Sequence, residues 1–279
     1  MARIWLGRDP AGWVRRPDEA TMTRSRIAIA AWLAICVRCG PALADPQGLS
    51  TNVPVQIEDA FPAIEYGDAE LQYDGRYTRD PHDASTHNQF VQGPTIKLGL
   101  LPHTQFDINP GYASGDGSSA GQGTTSIDSL VQLTGNSRFL PALALHGFYE
   151  IPYGSGHKSA QYTLRGVATK YLGPDKDSPR LHLNLTWVHV TQPDSSTRRD
   201  QLEIAGGLSF LVSRHTAMVL DVVHGAQASV GRNQSFLDAG FLHELNANWS
   251  VGLGAGAGLA QDSPQARMFL SLQRSFRLF

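Results

Sequence analysis

From about residue 68 to the end of the chain, apolar and polar residues alternate in blocks of roughly ten residues. A repeat of two residues is typical of β-strands, because successive side chains of a strand point to opposite faces. In the block 201–212, for example, Leu202, Ile204 and Leu208 share one face, while Gln201 and Glu203 share the other. The pattern therefore predicts a series of strands that are each apolar on one face.

Twelve such blocks can be counted, and the connections between them alternate in length. The connections after odd-numbered strands are long and polar, whereas most of those after even-numbered strands are tight turns; the connection 173–179 after the sixth strand is the exception. Loops sorted in this way, with an even strand number, are typical of bacterial outer-membrane barrels. The sequence thus predicts an all-β fold, an antiparallel transmembrane β-barrel of about twelve strands. The predicted strands are about 68–78, 88–101, 103–112, 125–134, 139–151, 159–172, 180–190, 201–212, 215–224, 234–245, 248–259 and 266–278.

The start of the chain resembles a secretory signal. Arg24 and Arg26 precede the apolar stretch 27–37, and Ala42-Leu43-Ala44 forms a small-x-small cleavage site. The apolar stretch is too short to span a bilayer as a helix, for which about 20 residues are needed. The predicted division is 1–21 as a misassigned extension, 22–44 as a signal peptide cleaved after Ala44, 45–67 as a segment before the first strand and 68–279 as the barrel.

Composition narrows the classes of function. Both cysteines, Cys36 and Cys39, lie in the predicted signal, so the mature chain has no thiol with which to form a disulfide. Residues 45–279 carry 16 Lys+Arg and 22 Asp+Glu, a net charge of −6. An acidic chain of this kind argues against nucleic acid as a partner. The expected partners are outer-membrane lipids, the barrel-assembly machinery and a small-molecule solute.

The segment 45–67 leaves two interpretations open. It can fold into the lumen as a plug, or it can remain in the periplasm as a tail. Its sequence favours neither strongly. Deleting residues 46–64 would separate the two, since loss of a plug changes conductance and loss of a tail does not.

The predicted inner face carries most ionisable groups of the barrel. An acidic excess in a narrow lumen favours cations, so an open pore is expected to be mildly cation-selective. A filled interior, in which these groups pair and support the wall, is an equally supported interpretation. The candidate lumen-lining residues are Glu70, Asp74, Arg76, Lys97, Asp107, Asp128, Glu150, Arg165, Glu203, Asp221, Asp238, Glu244 and Arg267, with Arg277 in the same phase.

Three tight hairpins share one layout, an apolar strand end, a polar turn and a renewed strand. They lie at 100–107, 211–218 and 245–251, and a block at 139–154 reads FLPALALHG followed by IPYG. In these features the chain resembles the outer-membrane barrel family named for the meta-pathway of phenol degradation. The resemblance implies a transporter that passes small molecules, hydrophobic or aromatic ones among them, by passive diffusion. It implies no catalytic residues.

Two other functions compete with this one: a closed barrel with a structural or surface-interaction role, and a membrane-embedded lipid hydrolase. A barrel hydrolase needs a nucleophile and a base on adjacent strands near the outer rim. The strand histidines are His146, His189, His224 and His243, and the sequence shows no local His-Ser arrangement. The pair His82 and His87 lies in a polar loop, where a solvated role is the better interpretation. We therefore predict no catalytic, cofactor-binding or metal-binding residues.

Overall fold

The computed structural model describes residues 55–80, 87–116, 120–154 and 159–279. The predicted extension, the signal peptide and residues 45–54 lie outside the described residues. Twelve strands form from the alternating blocks: β1 (Asp68–Arg79), β2 (Asn88–Leu101), β3 (Thr104–Gly115), β4 (Gln122–Thr134), β5 (Ala142–Gly154), β6 (Gln161–Tyr171), β7 (Arg180–Val190), β8 (Asp200–Ser213), β9 (Thr216–Ala226), β10 (Asn233–Asn246), β11 (Trp249–Gly258) and β12 (Ala266–Arg277).

The strands form one closed antiparallel barrel. Each strand pairs with its neighbours in sequence, and β1 closes the sheet by pairing with both β2 and β12. Closure leaves no unpaired sheet edge. The prediction of a twelve-stranded antiparallel barrel is confirmed.

Strand β7 shows how the wall separates its two faces. Leu181, Leu183 and Leu185 are 48%, 51% and 59% exposed on the outside, whereas His182 and Asn184 between them are buried. This is the reverse of a soluble protein, because the polar groups lie inside and the large apolar groups outside. Among the described residues, no helix has the length and apolar character needed to cross a membrane.

The two ends of the barrel differ. The "turn end" carries the start of β1 at Asp68, the end of β12 at Arg277 and the connections after even-numbered strands. Those after β2, β8 and β10 are two-residue turns, whereas those after β4 and β6 span residues 135–141 and 172–179, so the predicted tight turn after the fourth strand is wrong. The "loop end" carries the connections after odd-numbered strands. All four register shifts in the barrel, near residues 98–101, 132–134, 211–213 and 244–246, lie at the turn end. The tight turns are therefore accommodated by local bulges, while the middle of the wall keeps a regular register.

The pairing of β2 with β3 is interrupted halfway along. Gln92 pairs with Tyr112 and Ile96 pairs with Ile108, but residues 93–95 and 109–111 between them have no partners across this ladder. Pro94 and Pro110 fall in this interval, and neither has a backbone N–H to donate. The wall therefore has fewer hydrogen bonds at this place than in the fully paired ladders beside it.

Candidate functional site: the lumen and the segment that crosses it

The described part of the chain before β1, residues 55–67, is called here the plug segment, and its residues 55–65 lie inside the barrel. The segment reaches the turn end beside β2, where Gly67 N donates to Gly99 O at 2.8 Å. A Cβ at Gly99 would overlap the carbonyl of Glu65, so the absence of a side chain allows this close approach. Of the two interpretations left open above, the structure shows the segment in the lumen for residues 55–65.

Three hydrogen bonds from backbone N–H groups of the plug segment to side chains of the wall show the path of the segment through the lumen. Ala63 N donates to Gln105 Oε1 of β3 at 2.7 Å, and Ala60 N donates to Thr169 Oγ1 of β6 at 2.9 Å. Ile57 N then donates to Asp221 Oδ2 of β9 at 2.9 Å. Since β3 and β9 are opposite each other in a ring of twelve strands, the segment crosses the lumen from one side to the other.

Glu58 is the centre of a charged network in the plug segment. Its Oε1 is 2.5 Å from His146 Nδ1 and its Oε2 accepts from Arg165 Nη1 at 3.0 Å. The other ring nitrogen of His146, Nε2, is 2.9 Å from Asp128 Oδ1. Carboxylates only accept hydrogen bonds, so both ring nitrogens carry protons in this arrangement and His146 is an imidazolium. Two cations and two carboxylates thus alternate from β4 to β6.

Two further polar contacts secure the same part of the segment. The side-chain amide of Asn184, in the orientation that satisfies both groups, donates to Glu58 O at 3.2 Å and accepts from Glu58 N at 3.1 Å. Arg180 Nη1 donates to Asp59 Oδ2 at 2.7 Å. Both wall residues belong to β7 and are buried. The backbone polar groups of Glu58 are therefore satisfied although they lie away from water.

The lumen wall around the plug segment is partly apolar, although the sequence predicts a polar interior. Ile57 packs in one buried cluster with wall residues of β8, β9 and β10, and Ala60 with Phe61 packs in a second with residues of β4, β5 and β6. The ring of Phe61 stacks on Tyr171 with centroids 5.4 Å apart. The wall members are Ala205, Val219, Val223, Phe236 and Leu242 in the first cluster, and Leu130, Ala142, Ala144, Val167 and Tyr171 in the second. The segment thus covers apolar surface that would otherwise face the lumen.

The charges around Glu58 change its protonation. Burial raises its pKa, but the charges and hydrogen bonds of His146 and Arg165 outweigh burial and lower the pKa from 4.5 to about 2. A pKa that is lowered in the folded state contributes stability that is fully present above pH 4.5 and is lost as the pH falls through about 2. The attachment of the plug segment is therefore expected to persist at neutral pH.

We expect the plug segment to loosen between pH 4.5 and about 2, because protonation of Glu58 removes the charge that faces His146 and Arg165. The measurement is single-channel conductance of the mature protein over this pH range. Since acid acts on the whole protein and not on Glu58 alone, the Glu58→Gln variant is the control. A conductance profile that is the same in Glu58→Gln and in the natural protein would contradict this role of Glu58.

Most sequence-predicted lumen residues contact other lumen groups near the level of the plug segment. Lys97 Nζ donates to Glu70 Oε1 at 2.9 Å, with both residues buried. Asp74 accepts from Thr95 Oγ1 at 3.2 Å, and Asp107 accepts from Gln105 Nε2 at 2.7 Å. Asp128, Arg165 and Asp221 contact the plug segment or its histidine partner as described above. Sequence alternation thus identified residues that the fold brings together.

Asp238 and Arg267 form a buried ion pair on β10 and β12. Arg267 Nε donates to Asp238 Oδ1 at 2.8 Å, and Nη2 of the same guanidinium contacts the other carboxylate oxygen. The strand between them, β11, has Gly256 at this position, where a Cβ would overlap the Asp238 carboxylate. Gly256 therefore provides space for an ion pair that lies against the wall.

Nearer the loop end, Arg76 lies in a more open part of the lumen. Its side chain is exposed, although its neighbours on the inner face of β1, Gln72 and Asp74, are buried or half-buried. Arg76 interacts electrostatically with Arg267, Glu150 and Glu203. These four residues belong to β1, β12, β5 and β8, so their charges face one another across the lumen.

The two remaining sequence-predicted residues lie at the turn end. Glu244 Oε2 is 3.4 Å from Nδ1 of His215, which is on the exposed β8–β9 turn. Arg277 is exposed at the end of β12 and contacts the carbonyl of Phe279. The structure therefore places both residues away from the charges around Arg76.

The contacts of the other strand histidines are relevant to the alternative function as a membrane-embedded lipid hydrolase. His224 Nδ1 is 2.8 Å from Ser235 Oγ on the adjacent strand, a His–Ser pair that the sequence analysis did not find. His189 Nδ1 is 2.8 Å from Asp200, and His243 Nδ1 is 2.9 Å from Thr216 Oγ1. Within the described ranges, no carboxylate is bonded to the second ring nitrogen of His224, as a catalytic triad would require. The described residues also contain no group of three or more candidate metal ligands.

The contacts of the plug segment are the part of the site that the sequence analysis missed. Glu58, Asp59 and Phe61 lie in a stretch without a regular period, so alternation could not assign them a face. The one available signal was their composition, since Ile57, Phe61 and Ile64 are apolar in a segment that a solvated tail would keep polar.

The sequence matches no protein-family model, and no curated protein matches it. Solved structures of similar fold include the COG4313 outer membrane channel from Pseudomonas putida F1, with 13% identity, a TM-score of 0.56 and coverage of 80% of this chain and 100% of that one. The NanC porin has 7% identity, a TM-score of 0.53 and coverage of 75% and 100%. A KdgM porin in complex with disordered oligogalacturonate has 10% identity, a TM-score of 0.50 and coverage of 74% and 99%.

Identities this low show a shared fold and nothing finer. The twelve-stranded barrel is therefore supported by independent structures. The resemblance to the phenol meta-pathway family remains a prediction.

Proposed function

We propose that this protein is an outer-membrane channel that passes small molecules by passive diffusion, and that the plug segment narrows its lumen at rest. The observation that carries the proposal is the exposed Arg76, an inward-facing side chain of a closed barrel. Exposure at such a position requires open space inside the wall. Solute could enter this space from the loop end and pass onward when the plug segment moves.

The outer face supports placement in the membrane. Exposed apolar side chains such as Leu183, Leu202 and Leu270 surround a wall whose inner positions are polar. A closed barrel with this distribution satisfies its backbone hydrogen bonds internally, as the bilayer requires. With the predicted signal peptide, the loop end would face the outside of the cell and the turn end the periplasm.

The apolar clusters favour solutes that are at least partly hydrophobic. If the plug segment leaves the lumen, the wall residues Val219, Val223, Leu130 and Tyr171 lose their cover and would face the passage. Such a surface would favour apolar or aromatic solutes over strongly hydrated ones. This agrees with what the family resemblance implies.

We expect discrete conductance steps from the mature protein in a planar bilayer, with a reversal potential of cationic sign in a salt gradient. The acidic groups of the lumen outnumber the basic ones, and several of the basic groups are held in ion pairs with carboxylates. Exchange of Glu203 for Gln should make the reversal potential less cationic. A reversal potential near zero or of anionic sign would contradict the expected selectivity.

The competing functions give different results. A closed structural barrel would fold, as heat-modifiable gel mobility shows, yet give no steps even after removal of residues 46–64. A lipid hydrolase would react with a serine-directed probe. Ser235 and Ser209 are the serines to examine, because Ser235 contacts His224 and Ser209 contacts His182 on adjacent strands.

A further inference from the structure

We propose that Arg76, Arg267, Glu150 and Glu203 form a binding site for zwitterionic solutes that have a compact apolar body, in the lumen between the plug segment and the loop end. The four residues are called here the charge ring. This inference rests on the proposed channel function and names the class of solute that the channel would select.

The charge ring separates its positive and negative charges by strand. Arg76 and Arg267 belong to neighbouring strands, and the register places Arg267 against Thr78, two residues along β1 from Arg76. Glu150 and Glu203 belong to β5 and β8, on the other side of the barrel. Arg76 interacts electrostatically with all three other members, so the ring spans the lumen at one level.

The charges of Arg76 and Glu203 face the lumen without a close ion pair. Neither residue forms an ion pair within 4 Å with a described residue, in contrast to Arg267, whose guanidinium is held by Asp238. Arg76 is exposed and Glu203 is half-buried. A Cβ at Gly225 would press on Glu203, so the neighbouring strand leaves room for this carboxylate. The charges of Arg76 and Glu203 are therefore both available to bind a ligand.

Only a ligand that carries both a negative and a positive group can pair with the arginines and the glutamates of the charge ring. A simple anion beside Arg76 would also face two glutamates, and a simple cation beside Glu203 would also face three arginines, Arg76, Arg165 and Arg267. A zwitterion can place its anionic group at the arginines and its cationic group at a glutamate. In a narrow lumen such pairs are stronger than in bulk water, because the effective dielectric constant is lower.

The wall beside the arginines offers an apolar surface. Phe269 lies directly opposite Arg76 in the β1–β12 register, and Arg267 lies over the rings of Phe269 and Phe236 at 5.4 and 3.7 Å. An aromatic or aliphatic body between the two charged groups of a ligand could pack on Phe269. The preferred probe is therefore an aromatic zwitterion with its charges at opposite ends, such as 4-(aminomethyl)benzoate.

The experiment measures binding, so that it does not depend on transport. The refolded mature protein in detergent micelles is titrated with 4-(aminomethyl)benzoate and observed by ligand NMR relaxation. Two analogues of similar shape carry one charge each: 4-ethylbenzoate and 4-isopropylbenzylammonium. We expect the zwitterion to bind about tenfold more tightly than either analogue, the ratio that loss of one charged hydrogen bond gives. Equal binding of the three compounds would overturn the proposal.

Variants test the residues. Arg76→Gln should weaken binding of the zwitterion about tenfold, while 4-isopropylbenzylammonium binds as tightly as before or more tightly. Glu203→Gln should also weaken binding of the zwitterion about tenfold, while 4-ethylbenzoate binds as tightly as before or more tightly. Arg274→Gln is the matched control, because Arg274 is exposed beside Trp249 on the other face of β12 and should leave binding unchanged. The conservative exchange Arg76→Lys with Glu203→Asp keeps each charge on its own side of the lumen and should retain preference for the zwitterion; loss of that preference in this folded variant would overturn the proposal.

The results also separate this inference from the channel function. Conductance steps without preference for the zwitterion would support the channel function and contradict the role of the charge ring as a selective site. Preferential binding without any conductance, in the natural protein and after deletion of residues 46–64, would keep the binding site and contradict the channel.

Discussion

Deleting residues 46–64 from the mature protein is expected to raise single-channel conductance several-fold. The plug segment crosses the lumen from β3 to β9, so its removal widens the passage where the segment lies. The barrel itself should persist, because every strand and both partners of β1 lie outside the deletion. Heat-modifiable mobility checks that the variant is folded.

A reversible lock distinguishes movement of the segment from damage caused by its removal. The mature chain has no cysteine, so the pair Ala60→Cys and Thr169→Cys would be its only thiols. Ala60 N is 2.9 Å from Thr169 Oγ1, which places the two positions close enough to test as a disulfide. We expect low conductance in the oxidised form and a rise on reduction. An unchanged conductance in both the reduced lock and the deletion variant would exclude the plug role.

Replacing Arg267 with Met is expected to lower the free energy of unfolding by about 3–5 kcal/mol, as removal of one partner of a buried ion pair does. Arg267 and Asp238 are 4% and 0% exposed, so the carboxylate would be left in the wall without its cation. The measurement is urea unfolding of the protein in lipid vesicles. The lumen here cannot hydrate Asp238 freely, because Phe236 and the wall at Gly256 enclose the pair.

A double-mutant cycle assigns this loss to the pair. Asp238→Asn together with Arg267→Met should recover part of the stability, since the carboxylate that Arg267 pairs with is removed as well. Arg274→Met on the outer face removes a cation from beside Trp249 and is expected to cost less than about 1 kcal/mol. A loss in Arg267→Met as small as that of Arg274→Met would contradict the importance of the buried pair.

The faces of the strands were predictable because alternation is a local property. In β7, Leu183 faces outward and Asn184 faces inward because successive side chains of a strand point to opposite faces. The same rule marked Lys97, Asp238 and Arg267 as inward residues. It could not show that the lumen wall around the plug segment is apolar in places, because Val219 and Phe236 pack in one cluster with Ile57, which comes from another part of the chain.

The sequence by itself determined the twelve-stranded antiparallel barrel, since the alternation that predicts each strand follows from residues that are close in the chain. Only the tertiary structure decided where the plug segment lies, because its contacts join residues far apart: 88 positions separate Glu58 from His146, and 164 separate Ile57 from Asp221. It also decided that Arg76, Glu150 and Glu203 share one level. A period of two assigns a residue to a face, but its height in the barrel depends on the register of every strand around the ring.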